Sequence, residues 1–389
     1  MNAVIRIENI VETVEDEYRL LKTVIDGEEV WIKLPIEFQI NTSAELFLSV
    51  VLLEAMISHR NIEVSDEISV SPTLLKNLEK LQRIYHLWNH LLKPIEIHAT
   101  YLKEPKPQTG SASFFSGGVD SSYTLCANFE SISHLIVLSG FDTLEKPEQW
   151  AQLVDKHQTV AAALNKKLIC VESNITEFND RRKISRMFQH GLTLAGVGVA
   201  LGFSQVYIPS SSTYSYLFPL GSHPCTDPLW STAITSIVHD GAERTRSEKT
   251  VALTKYPVLL DNLQVCWNNI SYNCGKCSKC LRTMIACYLY SLKCKNLPDQ
   301  DIIEITKQLK IASASGEPFF DDLISLAKEK GHFEIVKILD KTHRNFLIKL
   351  HFEAFVNLLT HGKLKKLVRK QRKTQWTKFR VTMSPNSDK

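Results

Sequence analysis

The sequence has no run of eighteen apolar residues. Its most apolar stretch, "AELFLSVVLLEAM", carries Glu45 and Glu54, so no membrane-spanning helix is expected. The opening "MNAVIRIENIVETVEDEYRL" lacks an apolar core after basic residues and offers no secretory signal. Internal repeats and low-complexity segments are missing as well. The expectation is a soluble, cytoplasmic protein. Acidic residues are absent between Lys363 and Arg380, where "KLKKLVRKQRKTQWTKFR" holds nine Lys and Arg. The formal charge of +4 is therefore uneven: outside that run 37 basic residues face 42 acidic ones. Such a tail suits RNA, an acidic protein partner or anionic lipid, and equally a solvated end with no ligand. A homodimer is entertained as the oligomeric state.

What is present is an ordinary globular composition, 44% apolar and 23% charged over 389 residues, enough for two or three domains. Residues 1–103 form an expected α+β accessory domain. In it "YRLLKTVIDGEEVWIKLP" reads as two strands around Asp26-Gly27. Helical segments follow, one opening at a Ser43 cap and one at Ser71-Pro72, and then a strand in "KPIEIHATYL". "KEPKPQTG" reads as a linker. From Ser111 the rhythm becomes strand, turn, helix. "SASFFS", "HLIVLSG", "KLICVES" and "QVYIPSS" are the strands, separated by "VDSSYTLCANF", "PEQWAQLVDKHQTVAAAL" and "ISRMFQHGLTLAGVGVALGF". This alternation predicts an α/β domain over residues 111–290 with a parallel, doubly wound sheet, whose ligands sit at the carboxyl ends of the strands. Residues 291–389 read as a helical extension ending in the basic tail.

The first strand runs into "SGGVDSS". Glycines let backbone N–H groups approach an anion, and the helix that follows turns its positive dipole end toward phosphate. Ser116, Gly117, Gly118, Ser121 and Ser122 are the candidate cradle, and Asp120 can hold a magnesium ion bridging phosphate oxygens. No lysine follows the glycines, so the kinase and GTPase loop is absent, as is the dinucleotide fingerprint. A bare glycine turn is the competing reading.

"CWNNISYNCGKCSKCLRT" places Cys266, Cys274, Cys277 and Cys280 at C-x7-C-x2-C-x2-C. Four thiolates suit a structural zinc ion, and an iron–sulfur cluster is the competing occupant. Cys287 and Cys294, with Cys126 and Cys170, read as core residues.

Together these motifs carry a resemblance. "SGGVDSS" is similar to the pyrophosphate loop, S-G-G-x-D-S, of the N-type ATP pyrophosphatases (the PP-loop superfamily). The added cysteine knuckle, with "NCGKCSKCLRT", resembles 7-cyano-7-deazaguanine synthase-like members. The likeness covers roughly Ser111 to Ala286. It implies an adenine-nucleotide α-hydrolase-like fold and a ligase that cleaves ATP to AMP and pyrophosphate. Such an enzyme activates a carboxylate or amide oxygen for attack by a nitrogen nucleophile. The chain departs from that enzyme in its flanking segments and in showing "GSHPCTDPLWST" in place of the usual substrate loop. tRNA thiolation through an adenylated base is an alternative, for which Cys225 and the basic tail are the features of interest. A non-catalytic nucleotide-binding subunit of a defence or biosynthetic system is another.

Further candidates follow from position. Gly140 ends the second strand, where a base or ribose would lie. His190 opens a glycine-rich helix and is a candidate for meeting the phosphates, with a buried structural histidine as the competing reading. "PSSSTYSYLFPLGSHPCTDPLWST" follows the fourth strand and offers Ser211, His223, Asp227 and Ser231 to a substrate. "VHDGAERTRSEK" supplies His239, Asp240, Arg244, Arg246 and Lys249. Of these, Arg244, Arg246 and Lys249 suit a departing pyrophosphate, or else a surface salt-bridge helix.

Overall fold

The chain opens with β1 (Ile5–Ile7) and β2 (Val11–Glu15), and then β3 (Tyr18–Ile25) and β4 (Glu28–Pro35) meet at a two-residue turn. Asp26 and Gly27 hold φ of 51° and 81° there, the positive pair that a right-twisted hairpin demands. The computed structural model describes residues 4–139, 147–266, 268–269 and 271–359.

Helix α1 (Glu45–Ser58) is apolar on nearly every side and buried accordingly. The expected Ser43 cap is not used: Ala44 stands at the cap position with no side-chain bond. The Ser43 hydroxyl is spent on the buried Glu45 carboxylate instead, and Glu45 also accepts the Ser71 N–H at 2.7 Å. β5 (Ile62–Val64) precedes α2 (Pro72–Trp88), where Ser71 does cap, accepting from Leu74 N–H at 3.1 Å with Pro72 in the first turn. β6 (Ile97–His98) then completes a three-stranded parallel sheet in the order β1-β5-β6.

β7 (Gln108–Phe114), α3 (Val119–Ala127), β8 (Ile132–Leu138), α4 (Pro147–Ala163) and β9 (Lys167–Ser173) alternate as expected, followed by α5 (Ile175–Arg181), α6 (Arg186–Leu201) and β10 (Phe203–Pro209). A further strand, β11 (Ser236–Asp240), lies in a segment with no strand expectation. These five strands pair in parallel in the order β11-β10-β7-β8-β9. Succession along the chain therefore runs one way from β7 through β8 to β9 and the other way through β10 to β11.

The sheet is nevertheless mixed, with eight strands in all, because β4 pairs antiparallel with β9 and brings β3 and β2 with it. Asn174, just past β9, extends the ladder with its side chain. Its Oδ1 accepts Trp31 N–H and its Nδ2 donates to Glu29 C=O, both at 2.8 Å. The hairpin thus covers what is otherwise an open strand edge.

By internal contact the chain divides into two compact units, Met1–Arg244 and Thr245–Lys389. The second is helical: α7 (Arg246–Ala252), α8 (Pro257–Asp261), α9 (Ser278–Leu289), α10 (Ile302–Gln308), α11 (Glu317–Glu329) and α12 (Phe333–Leu359). α7 begins with a reciprocal capping box between Thr245 and Glu248. Leu281, Ile285, Ile305, Phe320, Leu323 and Leu339 are buried among α9 to α12. Among the described residues no helix is long and apolar enough to cross a membrane. The basic run from Lys363 to Arg380 lies outside the described residues.

Candidate functional site

The turn from β7 into α3 is shaped by its two glycines. Gly117 has φ of 69°, which only glycine adopts freely. Gly118 is the cap residue of α3 and, having no side chain, supplies no cap bond of its own to the first N–H groups of the helix. Ser121 braces the loop from inside. Its Oγ donates to Gly118 C=O at 3.2 Å and accepts Ser116 N–H at 3.2 Å. The Ser122 hydroxyl is buried with no hydrogen-bond partner. Asp120 lies half-buried in the first turn of α3, and Ser116 is exposed at the rim.

A residue that no sequence motif marks lies against this loop. His157 of α4 is 2% exposed, stands edge-on to Phe115 at 5.1 Å and is bonded to the Ser116 backbone. Burial, with the nearby Lys156 charge, lowers its pKa to about 4, so the ring is neutral. Its Nε2 has no partner. The signal was its place on the buried stripe of α4, Leu153, His157, Val160 and Ala161, where a histidine at helical spacing reads as core. Gly140 lies outside the described residues, but Ser139 before it is buried with an unpartnered hydroxyl.

A second cluster forms beyond β10 and β11. Tyr207 pairs with Ser113 of β7 and Pro209 with Asp240 of β11, so Ser210 leaves the sheet at the same edge as Ser116. A small cleft of about 10 Å³, room for about one water-sized molecule, opens there, lined by Ser210, Ser211, Ser212, Ser222, His223 and His239 with the apolar Leu217 and Phe218. Asp227 organises it. Its Oδ2 accepts from Ser222 Oγ at 2.7 Å and from His239 Nδ1 at 2.8 Å, and its Oδ1 accepts His223 N–H at 3.1 Å. The carboxylate accepts from three donors, and its contact with Nδ1 assigns the His239 ring proton to that nitrogen. His239 Nε2 is buried without a partner. Burial, and then the neighbouring His239, hold His223 below the ordinary histidine range. Its Nδ1 accepts Cys225 N–H at 3.0 Å.

The loop bearing Ser222 is held by glycine against glycine. A Cβ on Gly191 of α6 would lie 2.0 Å from Gly221 C=O, and one on Gly221 would lie 2.2 Å from Phe188 C=O. Gly221 N–H donates to Met187 C=O at 2.9 Å across this contact.

Of the sequence candidates, Ser211 and His223 thus line one cleft and Asp227 underlies it. His190 lies near Asp227, whose charge opposes the burial that lowers its pKa, and its Nδ1 is engaged with Arg186 C=O at 3.3 Å. Ser231 is a turn residue, its Oγ accepting Ile237 N–H at 3.0 Å at the start of β11. Arg244 reaches Tyr123, one turn beyond Asp120 on α3. Tyr123 also donates to Glu243 at 2.8 Å. Burial, reinforced by Glu243, raises the Tyr123 hydroxyl to about 12. Arg246 and Lys249 belong to α7 of the helical unit. There Arg246 borders a small pocket with Arg282 and Asp322, and Lys249 is buried.

The four cysteines come together within the helical unit. All four Sγ atoms lie within 4.8 Å of one another, with Cys277 at 3.5 Å from Cys280 and 3.9 Å from Cys266. A tetrahedron of thiolates about 2.3 Å from a zinc ion has its sulfurs about 3.8 Å apart, so the donor set fits. The Cys277 thiol beside it, and burial, push Cys280 far above the usual thiol range, a conflict that a divalent cation relieves. Asparagines explain the loop. Asn273 accepts Val265 N–H and donates to Leu263 and Asn296 carbonyls at 2.8–2.9 Å, and Asn269 Oδ1 accepts from Ser271 and Tyr272. Cys274 Sγ receives Lys276 and Cys277 N–H groups at 3.4 and 3.3 Å. Cys287 is buried, its thiol raised by burial to about 12, in keeping with a core role.

No family model, curated protein or solved structure matches the chain.

Proposed function

We propose that this chain is an ATP pyrophosphatase of the PP-loop type, a zinc-bearing ligase that adenylates a carboxylate or amide oxygen and passes the activated group to a nitrogen nucleophile. One observation carries the reading. The glycine–serine turn leads from β7, the strand on which the order β11-β10-β7-β8-β9 reverses, into an uncapped helix. A doubly wound sheet binds its nucleotide at that switch point, and an uncapped helix start with no lysine suits a pyrophosphate group.

In this reading Mg-ATP is a substrate whose β- and γ-phosphates lie on the backbone of Gly117 to Asp120. Ser116 and Ser122 donate hydroxyls, Asp120 carries the magnesium ion and Ser121 holds the loop's shape. Arg244, poised over α3, neutralises the departing pyrophosphate. The neutral ring of His157 buttresses the loop without adding charge. Cys266, Cys274, Cys277 and Cys280 would hold zinc, which supplies a structural cross-link.

The test uses full-length protein, magnesium and ATP labelled at the α-phosphate, with ammonium chloride and a small-molecule cell extract as acceptors. AMP and pyrophosphate are the expected products, and Asp120→Ala should lower AMP formation by about a hundredfold or more, the scale of losing a key electrostatic group. ADP and phosphate as the products would overturn the reading. Cys225, exposed beside the cleft, supports a second reading, thiolation. That reading requires Cys225→Ser to abolish sulfur transfer to RNA.

A further inference from the structure

The cleft beyond β10 and β11 holds a histidine that ATP cleavage does not use. Asp227 and His239 are withdrawn from solvent, their side chains 1% and 4% exposed, and joined at 2.8 Å. Ser222 completes a trio that resembles a hydrolytic triad only in composition. Its hydroxyl donates to the same Asp227 oxygen that Nδ1 of His239 uses. A nucleophilic serine must instead sit at the ring nitrogen opposite the carboxylate. That nitrogen, Nε2, is buried with no partner, an unfavourable state that a donor on a ligand would relieve. The cleft lining contains no Asp, Glu, Lys or Arg, so an uncharged polar group suits it better than an ammonium ion or a second carboxylate.

We propose that His239 Nε2 is the proton acceptor for a neutral amine seated in this cleft, with Asp227 as its positioning residue; this rests on the adenylating reading above. In the step, the amine nitrogen forms a bond to the activated carbonyl carbon. The bond from that carbon to the AMP oxygen breaks, and its electron pair leaves on the phosphate. The amine's N–H proton passes to Nε2 and then to water once AMP and the amide depart. Ser222 and His223 hold Asp227 in register, and the hydroxyls of Ser210 to Ser212 offer hydrogen bonds to the entering group.

His239→Asn keeps an amide donor for Asp227 and removes the second ring nitrogen; His239→Gln serves if the first variant does not fold. Two assays on the full chain separate the steps, with a small-molecule cell extract as the source of acid. Exchange of labelled pyrophosphate into ATP reports adenylation. AMP release with ammonium chloride or hydroxylamine as the probe nucleophile reports transfer. The expected result is unchanged exchange, ammonium-dependent release lower by about a hundredfold or more, and recovery with hydroxylamine, which attacks at neutral pH without a base. Exchange falling in step with release would overturn the assignment, as would unchanged ammonium-dependent release. Wild-type protein that shows no exchange refutes the adenylating reading itself and this step with it, whereas a failure confined to His239 appears only with exchange intact.

Discussion

Three glycines of α6 offer a graded test of how closely that helix is approached. An alanine at Gly191 would place its Cβ 2.0 Å from Gly221 C=O and 2.5 Å from Ser222 N, both backbone atoms. Ordinary contact begins at 3.4 Å, so the Ser222 loop must retreat by about 1.4 Å or α6 must tilt. Helix propensity opposes this, since Ala is better than Gly by about 1 kcal/mol in a helix interior. Overpacking costs about 1–3 kcal/mol, and losing the bond from Gly221 N–H to Met187 C=O costs about 1 kcal/mol more. The balance is a loss of about 2 kcal/mol, or a melting point about 4–8 °C lower for a unit of this size. At Gly196 the obstacle is the Ser49 side chain of α1, with Oγ at 2.0 Å and Cβ at 2.6 Å. There a smaller loss is expected, and Ser49→Gly should relieve it. At Gly198 the nearest atoms are side-chain carbons of Val206 and Ile237 at 3.0 and 3.3 Å, a mild overlap that the gain of about 1 kcal/mol in helix propensity should largely offset, leaving the smallest loss of the three. Thermal and urea unfolding of the three alanine variants reads the order directly. If Gly191→Ala is no worse than Gly198→Ala, the loop is not pinned by a glycine contact and the reasoning fails.

Two other outcomes follow from single groups. The buried neutral ring of His157, with pKa near 4 against an ordinary 6.5, stabilises the fold above about pH 6.5. That contribution is lost progressively as pH falls toward 4, by up to about 3 kcal/mol; urea midpoints at about pH 7 and about pH 5 should differ less in His157→Phe than in wild type. The cysteine cluster should bind one zinc ion per chain by elemental analysis. A strong chelator or Cys277→Ser should remove it and lower the melting point, and retention of stoichiometric metal by Cys277→Ser would exclude the four-thiolate site.

Much of the parallel domain was legible because its signals are local. The run "KLICVES" is β9 from end to end, and Pro147 to Ala163 is helical where the periodicity demanded it. Asp26-Gly27 announced its hairpin through backbone chemistry alone. The hairpin's partner was not legible, because β4 pairs with β9 far along the chain, at Ile32–Ser173 and Lys33–Glu172, and Asn174 extends that ladder with a side chain 143 residues from Trp31. β11 was hidden for a different reason. "SIVHD" ends in two polar residues, one spent on Asp227 and the other on Asn128, which caps the C-terminus of α3. Its pattern therefore reflects side-chain contacts more than sheet alternation. The cysteine spacing revealed the four-thiol cluster, whereas the asparagine scaffold around it depends on carbonyls as far along the chain as Asn296.

The two serine-rich turns at the carboxyl edge of the sheet differ in a way that bears on their use. The turn after β7 leads through two glycines into a helix start with no side-chain cap from Gly118 and holds a buried, unpartnered Ser122 hydroxyl, which suits anionic oxygen. The segment after β10 carries neutral hydroxyls and a carboxylate already committed to three donors, one of them His239 of β11, which suits the handling of a proton. Register between Tyr207 and Ser113 keeps them on neighbouring strands. Under the proposed adenylating reaction, the first turn would take the phosphates of the nucleotide and the second the separate amine, on either side of the strand where the order reverses.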